Sequence, residues 1–145
     1  MNADSNILFE AHYEISDIDP HGKKFDRVSR IIATSENVIS ELTLDVNTEI
    51  YPLKTGNKFY LVLAQSLDGQ VTDNTKKDAW KPLGKSLADD YDYVMYGKVY
   101  KYDDANNSKV SVYCSFGGLL MCLAGDYRAL QSIVVGQYLY LMMRK

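Results

Sequence analysis

The sequence is poor in several residues that would otherwise fix its class. It has two cysteines, Cys114 and Cys122, with no CxxC spacing. That excludes a disulfide scaffold and a cysteine-based zinc ribbon, and leaves two reduced, buried thiols as the expectation. It has one tryptophan, three prolines and two histidines. With so few histidines, acid–base work near neutral pH has little to draw on. His12 falls on the polar side of an alternating segment and His21 in a Pro-His-Gly turn, so both read as surface residues. No apolar run approaches the roughly 20 residues of a membrane-spanning helix, and no basic-then-apolar leader opens the chain, so no membrane is implied. A phosphate loop of the GxxxxGK[ST] type and a GxGxxG turn are both missing.

Tyrosine is what the chain has in excess: twelve, against four phenylalanines. Tyrosine suits strands and interfaces, since it buries a large ring and keeps a polar tip. The 145 residues suffice for one domain, with a net charge of −3 and a pI near 5.3. Such a chain is no general polyanion binder; contact with nucleic acid would have to come from a local patch.

Hydrophobic periodicity is mostly two. Ile7, Phe9, Ala11, Tyr13 and Ile15 alternate with Glu10, His12 and Glu14, and Leu42, Leu44 and Val46 alternate with Thr43, Asp45 and Asn47. Val28–Thr34, a segment from Phe59, and Val110–Phe116 add strands, Leu119–Ala124 follows, and Tyr138–Met143 closes the chain. Tyr91–Tyr102 carries apolar residues on both faces, which predicts a strand buried on both sides. Gly117-Gly118 predicts a bulge, a sharp corner or the close approach of another backbone. Asp126 predicts the N-cap of a short helical turn through Leu130. The whole reads as a single all-β domain over 1–145 with about eight strands, arranged as two packed sheets or a closed barrel. Residues 68–88 read as a long loop, and loops of that length are mobile or functional. Trp80 within it either pins the loop to the wall or anchors a partner.

Candidate chemistry is sparse. Cys114 lies on the apolar side of its strand and reads as an inert core thiol. Asp89, Asp90 and Asp92 do not share one face of a strand, so a solvated acidic rim, or a surface that meets a basic partner, is expected there and not a metal site. Lys23, Lys24, Arg27 and Arg30 stand against Asp26 alone, with Phe25 among them. Basic residues interleaved with an aromatic are suited to weak, sequence-blind single-strand binding. A solvated hairpin end is the competing explanation. Neither a catalytic set, a metal, a cofactor nor a small-molecule substrate is implied.

Two longer blocks are more specific. Ser86-Leu87-Ala88-Asp89-Asp90-Tyr91-Asp92-Tyr93-Val94-Met95-Tyr96-Gly97 and Ser115-Phe116-Gly117-Gly118-Leu119-Leu120-Met121 closely resemble the small subunit common to the three nuclear RNA polymerases. Leu42–Asn47 and the segment Tyr138–Lys145 are also similar to that family. The resemblance runs from about Phe9 to the C-terminus, with 68–85 the part where no match is expected. It implies an eight- to nine-stranded antiparallel barrel related to the OB-fold. It also implies a nuclear and nucleolar protein sited on the largest subunit of RNA polymerases I, II and III, away from their catalytic metal, with the chemistry left to the large subunits. On this reading Tyr91, Tyr93, Met95, Tyr96 and Gly97, with Ser115, Phe116, Gly117, Gly118, Leu119 and Leu120, form the docking surface; the competing explanation is that both blocks simply form a tightly packed barrel core. Tyrosines would anchor, methionine would adapt, and the glycines would admit a foreign backbone. A free-standing single-strand nucleic-acid-binding module using Lys23–Arg30 is the alternative.

Overall fold

The computed structural model describes residues 7–20, 22, 26–35, 40–66, 90–106 and 108–145. Trp80 and the 68–88 loop, Asp89, His21, Lys23, Lys24 and Phe25 lie outside these residues. Eight strands are described: β1 (Ile7–Ile18), β2 (Val28–Ser35), β3 (Ser40–Asn47), β4 (Lys58–Ala64), β5 (Tyr93–Asn106), β6 (Lys109–Phe116), β7 (Leu119–Asp126) and β8 (Tyr138–Arg144). One helical turn, α1 (Tyr127–Leu130), joins β7 to β8. The strands close into an antiparallel barrel in the order β1-β2-β3-β7-β6-β5-β8-β4. Closure gives each described strand two neighbours, which is how an all-β chain limits edge-to-edge association.

Two long strands make closure possible by serving two neighbours each. β1 pairs with β4 over Ile7–Glu14 and with β2 over Glu14–Ile18. β5 pairs with β8 over Tyr93–Lys98 and with β6 over Lys98–Asn106, with an irregularity between Val99 and Lys101. That irregularity and a matching one between Ile15 and Asp17 bend the strands from one neighbour to the next.

Alternation fills the interior. Phe9, Ala11, Tyr13 and Ile15 of β1 are buried together with Leu42, Leu44 and Val46 of β3 and Val110, Val112, Cys114 and Phe116 of β6. Tyr13 reaches across to Ser40, hydroxyl to hydroxyl at 2.7 Å, so the buried phenol is satisfied. Leu130 and Ile133 also enter this core, which explains why the chain makes a helical turn there. Asp126 caps it, its carboxylate accepting from the Arg128 amide at 3.1 Å.

The structure departs from the sequence expectations at three places. β5 is not buried on both faces: Tyr93, Gly97 and Val99 face the core, while Val94, Tyr96 and Tyr100 are exposed. The barrel supplies only one interior, and among the described residues no second layer covers this stretch of the wall. Gly117-Gly118 is neither bulge nor corner but the two-residue turn between β6 and β7, with φ +65° and +104°. Two successive positive φ values suit glycine, and such a turn matches the twist of the strands it joins. Asp45, expected with Thr43 and Asn47 on the face opposite Leu42, Leu44 and Val46, is nearly buried for reasons given below.

Candidate docking surface

The outer wall over β8 and β5 is built by a simple rule. Their inward residues go to the core, so the alternate set must face out whatever its chemistry. On β5 that set is Val94, Tyr96 and Lys98; opposite them on β8 stand Met142, Tyr140 and Tyr138. Tyr96 therefore sits between two tyrosines, stacked on Tyr138 at 5.6 Å and tilted against Tyr140 at 4.5 Å. Lys98 Nζ lies 5.4 Å from the Tyr138 ring centre. Farther along, Tyr100 and Tyr113 are 6.2 Å apart, with Lys101 Nζ 5.2 Å from the Tyr113 ring. Val134 and Val135, in the turn before β8, are exposed as well.

One end of this wall is sealed by its own side chains. The Arg144 guanidinium lies between Tyr60 and Tyr91, 5.1 Å from each ring centre. Tyr60 donates its hydroxyl to Glu10, and burial, reinforced by that carboxylate, holds the phenol well above its ordinary pKa. Beneath these groups Val62, Ala64 and Met142 are fully buried. The other end is bare: Tyr96 and Tyr138 are each 52% exposed and Val94 is 37% exposed. Rings held by each other lose little freedom on binding, so this is a pre-organised apolar patch with polar tips.

Next to the patch the resembling blocks converge. Gly97 faces inward beneath Phe116; a Cβ there would lie 2.3 Å from the Ser115 carbonyl oxygen and 2.6 Å from Phe116 Cδ1. Here, not at Gly117 or Gly118, glycine is demanded by a close approach. The Leu120 amide donates to Asp45 at 2.9 Å, and Arg30 donates to the same carboxylate through Nε at 2.7 Å and Nη2 at 3.0 Å. Asp45 thus ties β2 and β3 to the base of the β6–β7 hairpin, and its side chain is 9% exposed. Its carboxylate holds the Arg30 proton more firmly than in water. The Asn47 amide donates to the Tyr93 hydroxyl at 2.9 Å, linking β3 to β5.

The expected docking residues accordingly divide. Tyr96, Leu120, Gly117 and Gly118 are exposed; Tyr91, Met95, Ser115 and Leu119 are half-buried; Tyr93, Gly97 and Phe116 belong to the interior. The last three shape the wall from within and offer no free surface. Tyr100, Tyr138, Tyr140, Val134 and Val135 were not legible as surface partners. The one signal for the tyrosines of β8 was their alternation with Leu139 and Leu141.

The remaining candidates are placed separately. Arg27 pairs with Glu49 at 3.3 Å and Arg30 with Asp45, so both arginines of the basic stretch already face carboxylates. His12 is exposed and packs on Tyr60 at 4.6 Å. Cys114 and Cys122 point to opposite sides of the wall, since Cys114 stands opposite Met121 and Cys122 opposite Tyr113. Burial pushes the Cys114 thiol up to about 12, as an inert core residue requires. Asp92 accepts from the Lys145 amide at 3.1 Å.

The family model described as RNA polymerase Rpb8 matches residues 10–145, which takes in nearly all of β1 and every element after it. The chain belongs to the RNA polymerase Rpb8 family. Relatives of the Rpb8 family align with nearly its whole length. A Dictyostelium discoideum protein named "DNA-directed RNA polymerases I, II, and III subunit rpabc3" is 51% identical over 144 residues, 97% of this chain and 99% of that protein. An Arabidopsis thaliana protein named "DNA-directed RNA polymerases II, IV and V subunit 8B" is 44% identical, covering 99% of each. The Saccharomyces cerevisiae protein named "DNA-directed RNA polymerases I, II, and III subunit RPABC3" is 38% identical, over 97% of this chain and 99% of that protein.

Proposed function

We propose that this chain is a non-catalytic structural subunit shared by the nuclear DNA-directed RNA polymerases I, II and III, supporting transcription in the nucleus and nucleolus. It docks on the largest subunit through the bare tyrosine patch of β5 and β8. Full-length kinship with proteins named as shared polymerase subunits supports the assembly role. The observation that carries the docking site is the stacked set Tyr96, Tyr138 and Tyr140, exposed on one side and fixed by its own neighbours on the other. Tyrosines in pre-set positions are the side chains that most often dominate an interface. From Tyr140 to Met143 β8 is paired with both β4 and β5, so the partner meets that strand through side chains.

The single-strand nucleic-acid reading is the weaker one. Arg27 and Arg30 each face a carboxylate, and Arg30 is fixed by a bidentate bond that also secures the hairpin. The test is affinity purification of the tagged chain from nuclear extract, washed at stringent salt, with the retained proteins identified by mass spectrometry. Recovery of the largest subunits of polymerases I, II and III supports the assignment. Recovery of nucleic acid alone, lost as salt rises, would overturn it and return attention to Lys23–Arg30.

A further inference from the structure

The ring of strands is closed, but β5 is not partnered along both sides for its whole length. β8 accompanies it over Tyr93–Lys98, whereas β6 joins it only from Lys98 onward. The Val99 amide donates to the Gln137 carbonyl, and the Val99 carbonyl accepts from Gly136. At Val99, then, the backbone groups of β5 face the β8 side. In an antiparallel ladder that facing alternates residue by residue. Gly97, Met95 and Tyr93 turn their N–H and C=O toward β8, and Tyr96 and Val94 turn theirs the other way. On that side β6 has already ended at Phe116, and among the described residues no strand takes its place.

The reason β6 stops lies in Gly117-Gly118, which reverse the chain into β7. The tip they form is bare: a Cβ at either position would meet nothing within 4 Å. Side chains flank the gap with an apolar rim, Val94 and Leu120 each 37% exposed and Tyr96 52% exposed. Main-chain donors and acceptors that meet no strand among the described residues, beside apolar side chains, fit one kind of occupant, an extended peptide that adds itself as a strand.

We infer that the Val94–Tyr96 edge receives a short extended segment of a polymerase subunit, held by main-chain hydrogen bonds, with its apolar side chains against Tyr96 and Leu120. The inference rests on the polymerase-subunit reading and deepens it: the tyrosine patch binds by side chains and the edge next to it by backbone. Two donors and two acceptors, from alternate residues, limit the added strand to a few residues.

Proline separates the possibilities, because it removes one N–H and is tolerated only where that N–H has no strand partner. Val94→Pro, Val94→Ala and Met95→Pro are compared in the full-length chain, first free and then by their incorporation into purified polymerase. Val94→Pro should fold, Met95→Pro should not, and Val94→Pro should enter polymerase at least about tenfold less well than Val94→Ala, the equivalent of about 1.4 kcal/mol. Amide hydrogen exchange of the free wild-type chain should show Val94 and Tyr96 exchanging faster than Met95.

Unfolding of both proline variants, or strong protection of Val94 and Tyr96 in the free chain, would mean that the edge is already filled and overturns the inference. So would a stable dimer of the free chain that Val94→Pro abolishes, since the occupant would then be a second copy. Normal incorporation of Val94→Pro alongside defective Tyr96→Ala and Tyr138→Ala overturns strand addition and leaves the tyrosine docking intact. If none of the three affects incorporation, both readings fall.

Discussion

Gly97→Ala should be among the most damaging single-methyl changes in this protein. Its φ is not in the left-handed region, so the argument is one of space alone. The added Cβ would sit 2.3 Å from the Ser115 carbonyl oxygen, 2.6 Å from Phe116 Cδ1 and 2.9 Å from the Ser115 carbonyl carbon. A ring can rotate away, but Ser115 stands opposite Lys98 in the β5–β6 ladder, and its carbonyl cannot retreat without breaking that register. Overpacking a close-fitted core costs typically 1–3 kcal/mol, and a backbone clash belongs at or above the top of that range, about 3 kcal/mol. For a domain of this size that corresponds to a fall of roughly 10 °C in melting temperature. Urea and thermal denaturation followed by far-UV circular dichroism give the number directly. Phe116→Leu in the Gly97→Ala background should recover little, because the nearest obstacle is main chain. A Gly97→Ala variant that melts within 2–3 °C of wild type, on the order of the smallest shifts a 1 kcal/mol change produces, would refute the packing argument. Full rescue by Phe116→Leu would show that the ring, not the carbonyl, is the constraint.

Other consequences follow from single contacts. Arg30→Ala leaves the nearly buried Asp45 carboxylate with the Leu120 amide as its one remaining donor among the described residues, and should cost about 1.5–3 kcal/mol in urea denaturation. Asp45→Ala should cost less than a buried pair would, because the Arg30 side chain is 44% exposed and can turn to water. Burial pushes the Tyr13 phenol up to about 12, against an ordinary value of 10, so the folded state keeps its proton where the unfolded state has lost it. Stability from this group is therefore complete below pH 10 and falls between pH 10 and about 12, by roughly 2–3 kcal/mol; Tyr13→Phe should flatten that part of the pH–stability curve, and an unchanged slope would contradict the assignment. Native-state alkylation followed by peptide mass spectrometry should modify the half-buried Cys122 well before the buried Cys114, and equal rates would contradict the placement of Cys114 in the core.

Much of the fold is legible in the residues because the barrel rewards one simple pattern. Phe9, Ala11, Tyr13 and Ile15, or Val110, Val112, Cys114 and Phe116, alternate cleanly and occupy the core as alternation predicts. Asp126 announces its helical turn by chemistry alone. The failures share a cause: each depends on what lies across space. Asp45 looks like any solvated residue until Arg30 and the Leu120 amide, 15 and 75 residues away, close over it. Apolar residues on both faces of β5 predict burial on both, since periodicity cannot distinguish a second layer of the same chain from a surface meant for another. Gly117-Gly118 and Gly97 exchange roles for the same reason. A pair of glycines between alternating runs is a hairpin turn, while the glycine that permits close approach is a single one inside a strand. The tyrosines of β8 were read as strand and nothing more, because their stack with Tyr96 requires knowing that β5 is the neighbour.

The most direct test of the account replaces the resident chain with a Tyr96→Ala/Tyr138→Ala variant and measures its amount in polymerases I, II and III purified through other subunits. Both rings lie on the exposed face, so the free variant should remain folded, with a melting curve close to wild type. Loss of two interface aromatics should lower incorporation by at least about 30-fold, the equivalent of roughly 2 kcal/mol, in all three enzymes. Wild-type incorporation of a folded double variant would contradict the claim that this barrel docks through its tyrosine wall.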